Sequence, residues 1–433
     1  VGACGADSDN PSTRVNPGTH VNTSSTGGAT STTASTDVGR DASFGNANPD
    51  AGTHTPGQGP CGGFPCVDAG GGPPDDDGFT VADGDCDDHS ELVNPGAYDV
   101  PNNGIDDDCQ GGDATSDACD DMLDLAASDP LAAARAIELC AMTKDGERRW
   151  GVVSARWTTP DGNGTPGSAM MHGLLPDFGP SFKPRAGKSF LALSSGVARA
   201  PGQAGFTQNC SDEFPTQSNA FPKGFDGTST SCPADAQATS IVDAVALELR
   251  VRMPTNASAL SFDSAFVTDE YPQFICSPFN DFFQVLVDPK RPGSSADSNV
   301  VFDLDGNSVS VNNSLLRACT AGTYGGKTFD CPLGFTPIKG TGYENCSFAN
   351  GGFFGGGFFG GGAGQPVYGA STGWLTTEFA VDPGEVVTLR FTIWDSGDSS
   401  LDSLALIDHV HFRLREKEPP PPDKPMTVPQ VVE

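Results

Sequence analysis

Residues 373–414 read GWLTTEFAVDPGEVVTLRFTIWDSGDSSLDSLALIDHVHFRL. The run predicts three strands, at 375–381, 386–395 and 404–414, because these segments are rich in β-branched and aromatic residues. Asp382-Pro383-Gly384 and Ser396-Gly397-Asp398 supply the turns between them. Along the middle strand Val387, Leu389, Phe391 and Ile393 fall on one face, and Thr388, Arg390 and Thr392 on the other. That period of two is what a sheet with one buried face needs. Upstream, 241–253, 260–268 and 282–288 read as the partner sheet. The expected fold is therefore mainly β, an antiparallel, jelly-roll-like β-sandwich.

Composition assigns the rest of the 433 residues. Gly 55 and Pro 35 together make about a fifth of the chain, and much of that lies in the first 74 residues and the last 20. The core-forming part is then roughly 300 residues, enough for one large sandwich with long loops. The formal net charge of -32 repels nucleic acid and anionic membrane surfaces and favours divalent cations. No run of about 18 apolar residues occurs, so no helical membrane span is expected.

Thirteen cysteines without a CxxC pair suggest disulfides made in an oxidising compartment. Val1-Gly2-Ala3-Cys4 resembles the tail of a bacterial lipoprotein signal, which would make Cys4 a lipidation site and leave an even twelve. Membrane attachment is expected only through that lipid. The Ser, Thr, Gly and Pro-rich segment 5–72 carries too little apolar surface to offset its ordering entropy, so 1–74 is expected to be a disordered stalk, with a local Cys61–Cys66 loop.

Segment 75–113 is different in kind. Residues 75–108 hold 12 acidic side chains and no Lys or Arg, arranged as DDDGFTVADGDCDD and, later, NNGIDDDCQGG. Alternating carboxylates interrupted by Gly are what an oxygen-lined calcium loop requires. A Cys in each half, Cys86 and Cys109, allows one disulfide to clamp both around shared ions. The segment resembles the MopE-type metal-binding repeat of myxobacterial surface proteins. The resemblance implies Asp75, Asp77, Asp83, Asp85, Asp87, Asp88, Asp106 and Asp108 as ligands, and Gln110 stands where a further Asp often occurs. The family takes its name from a copper-associated protein, but an all-carboxylate donor set favours calcium on hardness grounds.

Between 117 and 144 the pattern changes to helix. Asp129 is an N-cap, Pro130 occupies the first helical position, and Leu131, Ala134, Ile137 and Ala141 form a stripe. A Cys119–Cys140 disulfide would join two short helices there. From 117 to 414 the chain resembles a choice-of-anchor L domain. The resemblance rests on Asp269-Glu270-Tyr271-Pro272, Phe279-Asn280-Asp281 and the run from Leu401-Asp402-Ser403 to Asp408. It implies an extracellular module of bacterial surface proteins, here spanning 114–415, with 416–433 as a Pro-rich disordered tail.

No HExxH, GxSxG, phosphate-binding loop or dinucleotide fingerprint occurs. His409 and His411 read as an alternating surface pair. Asp269, Glu270, Asn280 and Asp281 admit three readings: turn-stabilising hydrogen bonds, a second metal or structural site, or a carboxylate pair for glycoside hydrolysis. Asp395, Asp398 and Asp402 read as a solvated acidic turn. The GGFFGGGFFGGG run at 351–362 reads as a loop that folds loosely onto the sandwich. The expectation is a non-enzymatic calcium-binding protein, extracellular or anchored to the outer membrane of a Gram-negative bacterium. It would serve adhesion or matrix attachment through a glycan or surface protein. A secreted polysaccharide hydrolase and a structural or copper-binding surface protein are the alternatives.

Overall fold

The computed structural model describes residues 75–207, 217–232, 237–238, 240–313, 315–344, 369–397, 399–415 and 418–430. All of them lie in one compact unit, His54–Glu433. The expected stalk, Cys4, the Cys61–Cys66 pair and the Gly/Phe run lie outside the described residues.

Among the described residues, fourteen strands run in chain order: β1 Gly151–Thr158, β2 His172–Leu175, β3 Phe190–Ser194, β4 Ser218–Asn219, β5 Ile241–Arg252, β6 Ala257–Thr268, β7 Phe282–Asp288, β8 Val309–Ser310, β9 Gly322–Tyr324, β10 Lys327–Phe329, β11 Ala370–Ala380, β12 Val386–Asp395, β13 Ser403–Leu414 and β14 Met426–Pro429. They build two antiparallel sheets, ordered β1-β5-β12-β7-β8 and β14-β11-β6-β13-β3-β2. Strand β4 adds to β5, and β9 and β10 form a separate hairpin.

Strand positions follow the sequence pattern, but their partners do not. The two triplets read as facing sheets are each divided between both. β12 lies between β5 and β7, while β6 lies between β11 and β13. The segments 253–256, 381–385 and 396–402 therefore carry the chain from one sheet to the other. A strand's own alternation says that one face is buried and does not say which neighbour covers it.

The inner faces form the core. Val387, Leu389, Phe391 and Ile393 are buried there with Val245, Leu247 and Leu249 of β5 and Leu260, Phe262 and Phe266 of β6. The Phe262 and Phe391 rings meet edge to face at 5.4 Å between the sheets. On the outer face, register places Arg156, Glu248 and Arg390 side by side on β1, β5 and β12. Glu248 accepts from Arg156 Nε at 2.7 Å and from Arg390 Nε at 2.9 Å, a cross-strand pairing suited to the solvated side. Gly373, at φ +66°, sits in the irregular stretch where β11 shifts register between Ser371 and Trp374.

Two expectations need correction. The helix expected within 117–144 shrinks to α1, Pro130–Arg135, capped by Asp129 Oδ1 accepting from the Leu131 amide at 3.0 Å. It stops because Glu138 adopts φ +68°, turning the chain toward Cys140, which is bonded to Cys119. The tail is also not wholly without structure. Met426–Pro429 pairs with β11 as an edge strand, satisfying backbone groups that the edge would otherwise leave open. Besides Cys86–Cys109 and Cys119–Cys140, the disulfides Cys232–Cys276 and Cys319–Cys331 are present; spacing alone did not pair these last two.

Candidate metal centres

Asp75, Asp77 and Asp85 each place a carboxylate oxygen within 4.8 Å of the other two. The local chain builds this arrangement. Asp75 Oδ1 accepts from the Asp77 amide, Asp77 Oδ1 from the Phe79 amide and Asp85 Oδ1 from the Asp87 amide, at 3.0, 2.7 and 3.0 Å. These are Asx turns, which Gly78 and Gly84 extend at φ +88° and +96°. Each carboxylate thus spends Oδ1 on the backbone. Oδ2 of all three is buried with no hydrogen-bond partner.

A second trio, Asp99, Asp106 and Asp108, meets the same distance criterion. Here the backbone holds the oxygens more fully. Asp99 accepts from the Asp107 and Ala114 amides, Asp106 from Gln110 and Gly112, and Asp108 from Gln110. Buried Asp107 braces the turn by accepting from Val100 N at 3.1 Å and Asn103 Nδ2 at 2.6 Å. The Cys86–Cys109 disulfide joins the two halves.

Crowded carboxylates resist ionising together. Burial, reinforced by the charges of Asp75 and Asp85, pushes Asp77 up to about 6 against the pull of the Phe79 amide. Burial and the charge of Asp99 push Asp108 up to about 7. Asp85 and Asp99 are raised as well, burial being the largest cause in each. A divalent cation reverses this cost, since the repulsion that raises each carboxyl becomes attraction for the ion. Oxygen-only donors with unsatisfied Oδ2 atoms fit a hard ion such as calcium and lack the nitrogen or sulfur that copper prefers.

Of the eight residues implied by resemblance, Asp75, Asp77 and Asp85 come together in one centre and Asp106 and Asp108 in the other. Asp88 borders the first: its Oδ1 is buried without a partner and its charge acts on Asp85. Asp87 acts on Asp85 in the same way and gives it the turn amide. Asp83 turns away, bonded to Thr80 and 3.4 Å from Arg148. Asp99 went unnoticed, although it lies within the resembling segment, because no Asp-Gly pattern marks it.

The acidic segment is packed on the sandwich rather than strung before it. Asn256 Oδ1 accepts from Tyr98 N and Asn256 Nδ2 donates to Tyr98 O, both at 2.9 Å. Thr255 donates to Asn94 at 2.7 Å, and Arg415 pairs with Glu91. The rings of Tyr98, Trp150 and Phe412 meet pairwise at 5.5 Å. Gly96 permits the approach, because a Cβ there would lie 2.9 Å from Thr255 Cγ2 and 3.0 Å from Arg148 O.

The family model for the Choice-of-anchor L domain matches residues 182–413, more than half of the chain. The chain belongs to the choice-of-anchor L family. A second model, described as "Putative metal-binding motif" and of the MopE type, matches residues 85–114. No curated protein and no solved structure matches the chain. The two matches describe a cell-surface or secreted protein with a metal-binding motif, and neither is an enzyme family.

Within the choice-of-anchor L head, Asp269, Glu270, Asn280 and Asp281 are all buried. Burial, then the charges of Asp402 and Asp281, hold the Asp269 carboxyl well above the usual range. Asp395 and Asp402 are buried too, which corrects their reading as a solvated turn; Asp398 lies outside the described residues. The reason is tertiary: the Asn280 amide donates to Ser396 O and the Asp269 amide to Asp402 O, so the 269–281 connection packs against this turn. His409 and His411 stack with centroids 4.4 Å apart, and a hydrogen bond to Asp263 raises His409 above its ordinary value.

Proposed function

We propose that this is a non-enzymatic, calcium-binding surface protein in which two ions rigidify the acidic segment against the choice-of-anchor L head. The observation that carries this reading is the set of three buried Oδ2 atoms, on Asp75, Asp77 and Asp85, that have no donor while Oδ1 of each is tied to the backbone. Asp75, Asp77 and Asp85 would hold one ion, and Asp99, Asp106 and Asp108 the other. Calcium supplies positive charge that the acidic segment lacks. The chain's own contribution is to preorganise the oxygens through Asx turns and the disulfide, so little ordering is left for binding.

Calorimetric titration of calcium into the chelator-treated full chain, with copper as competitor, tests this. Tight calcium binding that Asp85→Asn weakens supports the reading; preference for copper or no binding sinks it.

Adhesion is the role proposed for the head. A cleft of about 670–730 Å³ is available on each of two faces, and the one lined by Trp374, Phe182, Lys183, Arg185, Arg317 and Gln430 combines aromatic and hydrogen-bonding groups as a glycan surface does. The hydrolase reading fares worse, because Asp269, Glu270 and Asp281 are buried where no polysaccharide reaches them. Glycan-array binding that falls in Trp374→Phe, with no turnover, is the expected result; product release from a polysaccharide would overturn it.

A further inference from the structure

Glu270, Asp281 and Asp395 form a third group in which a carboxylate oxygen of each lies within 4.8 Å of the others. All three are buried. Glu270 follows β6, Asp281 precedes β7 and Asp395 ends β12, so the group joins strands from both sheets at one end of the sandwich.

The surrounding chain holds these carboxylates in place. The Asp281 amide donates to Glu270 Oε2 at 2.9 Å, and the Ser195 hydroxyl donates to Asp281 Oδ2 at 3.0 Å. The Asn280 amide donates to Ser396 O at 3.2 Å, tying the β7 entrance to the β12 exit.

A second observation does not depend on the charges. Asp269 Oδ1 and Asn280 Oδ1 are buried with no hydrogen-bond partner, in residues only 2% and 1% exposed. The Ser396 hydroxyl is buried in the same condition. Asp269 lies in the field of Asp402, Asp281 and Glu270, and Asn280 and Ser396, joined by their backbone bond, are the chain neighbours of Asp281 and Asp395. A buried oxygen with no donor costs about 1–3 kcal/mol. A hard cation relieves several such oxygens at once.

We propose that the head binds a calcium ion of its own between Glu270, Asp281 and Asp395, with Asn280 and Asp269 as the neighbouring oxygen donors, and that this ion clamps the two sheets together. Calcium suits the site better than magnesium, because magnesium keeps several of its waters and these three carboxylates are buried. The site is independent of the acidic segment and stands whether or not that segment binds metal.

The experiment uses the full chain with Asp85→Asn and Asp108→Asn, which silences the two N-terminal centres. Calorimetry after chelation should find one calcium per chain, and calcium should raise the unfolding temperature. Adding Asp395→Asn should abolish both effects, while the temperature measured in chelator stays the same or rises because a like charge is gone. Calcium binding unchanged by Asp395→Asn, or no calcium bound by the silenced chain, overturns the proposal. One calcium bound equally by the unsubstituted and the silenced chain, and lost with Asp395→Asn, would instead sink the N-terminal centres and leave this site standing. If Asp395→Asn does not fold, terbium luminescence decides. Trp394 is fully buried and adjoins Asp395, so emission excited through tryptophan in the silenced chain should be displaced by calcium and fall at least fivefold in Trp394→Phe. Equal emission from both chains overturns the site.

Discussion

At the scale of single residues, raised carboxyls make the metal-free acidic segment sensitive to pH in a definite direction. Asp77 moves from 3.8 to about 6 and Asp108 from 3.8 to about 7. A carboxyl raised on folding binds more protons in the folded state, so its stabilising contribution is full below 3.8 and is lost as pH rises to about 6 or 7. In chelator, hydrogen-exchange protection of 75–113 should therefore increase from pH 7 toward pH 4. In calcium the trend should invert, because protons then compete with the ion. Glu138 gives the same test in the head. Burial and then the charge of Asp408 raise it from 4.5 to about 9, so stability from this group declines across that interval. Glu138→Gln should flatten the decline between pH 5 and 9 in denaturant titrations, and an unchanged slope would show that Glu138 ionises normally.

Among elements, the Cys86–Cys109 bridge and strand β14 carry separate expectations. The bridge closes a loop with a sequence separation of 23, and removing it should cost the segment about 3 kcal/mol by loss of chain restriction. Paired Cys86→Ser and Cys109→Ser substitutions should accordingly weaken calcium binding about tenfold or more, each tenfold step being ~1.4 kcal/mol. Deleting 416–433 removes β14 and uncovers the β11 edge. Light scattering should then detect association that the full chain does not show, as expected for an unpaired edge. A monodisperse truncated chain would mean the edge is protected by other means.

For the molecule as a whole, the contacts of Tyr98, Asn94 and Glu91 with the sandwich predict that metal bound by the acidic segment would also stabilise the head. Calcium at a hundred times its dissociation constant should add about 2.7 kcal/mol per site. For a domain of roughly 300 residues that is a rise of about 4 °C per site in a single unfolding transition. Two separate transitions, with only the first responding to calcium, would show that the acidic segment melts apart from the head.

The sequence alone determined what short-range chemistry controls. Strand positions 386–395 and 282–288 were legible because alternation is a property of the strand itself, and the acidic turns of 75–88 because Asp-Gly spacing shapes its own turns. The Asp129 cap and the Cys86–Cys109 pairing were legible for the same local reason. Only tertiary structure decided that β12 enters between β5 and β7, that Asp99 completes the second centre, and that Asp395 is buried beside Glu270 and Asp281. Each of those outcomes depends on which distant segment covers a given face. A period of two or a run of Asp marks that a face or charge needs a partner, and the identity of the partner emerges only when the sheets pack.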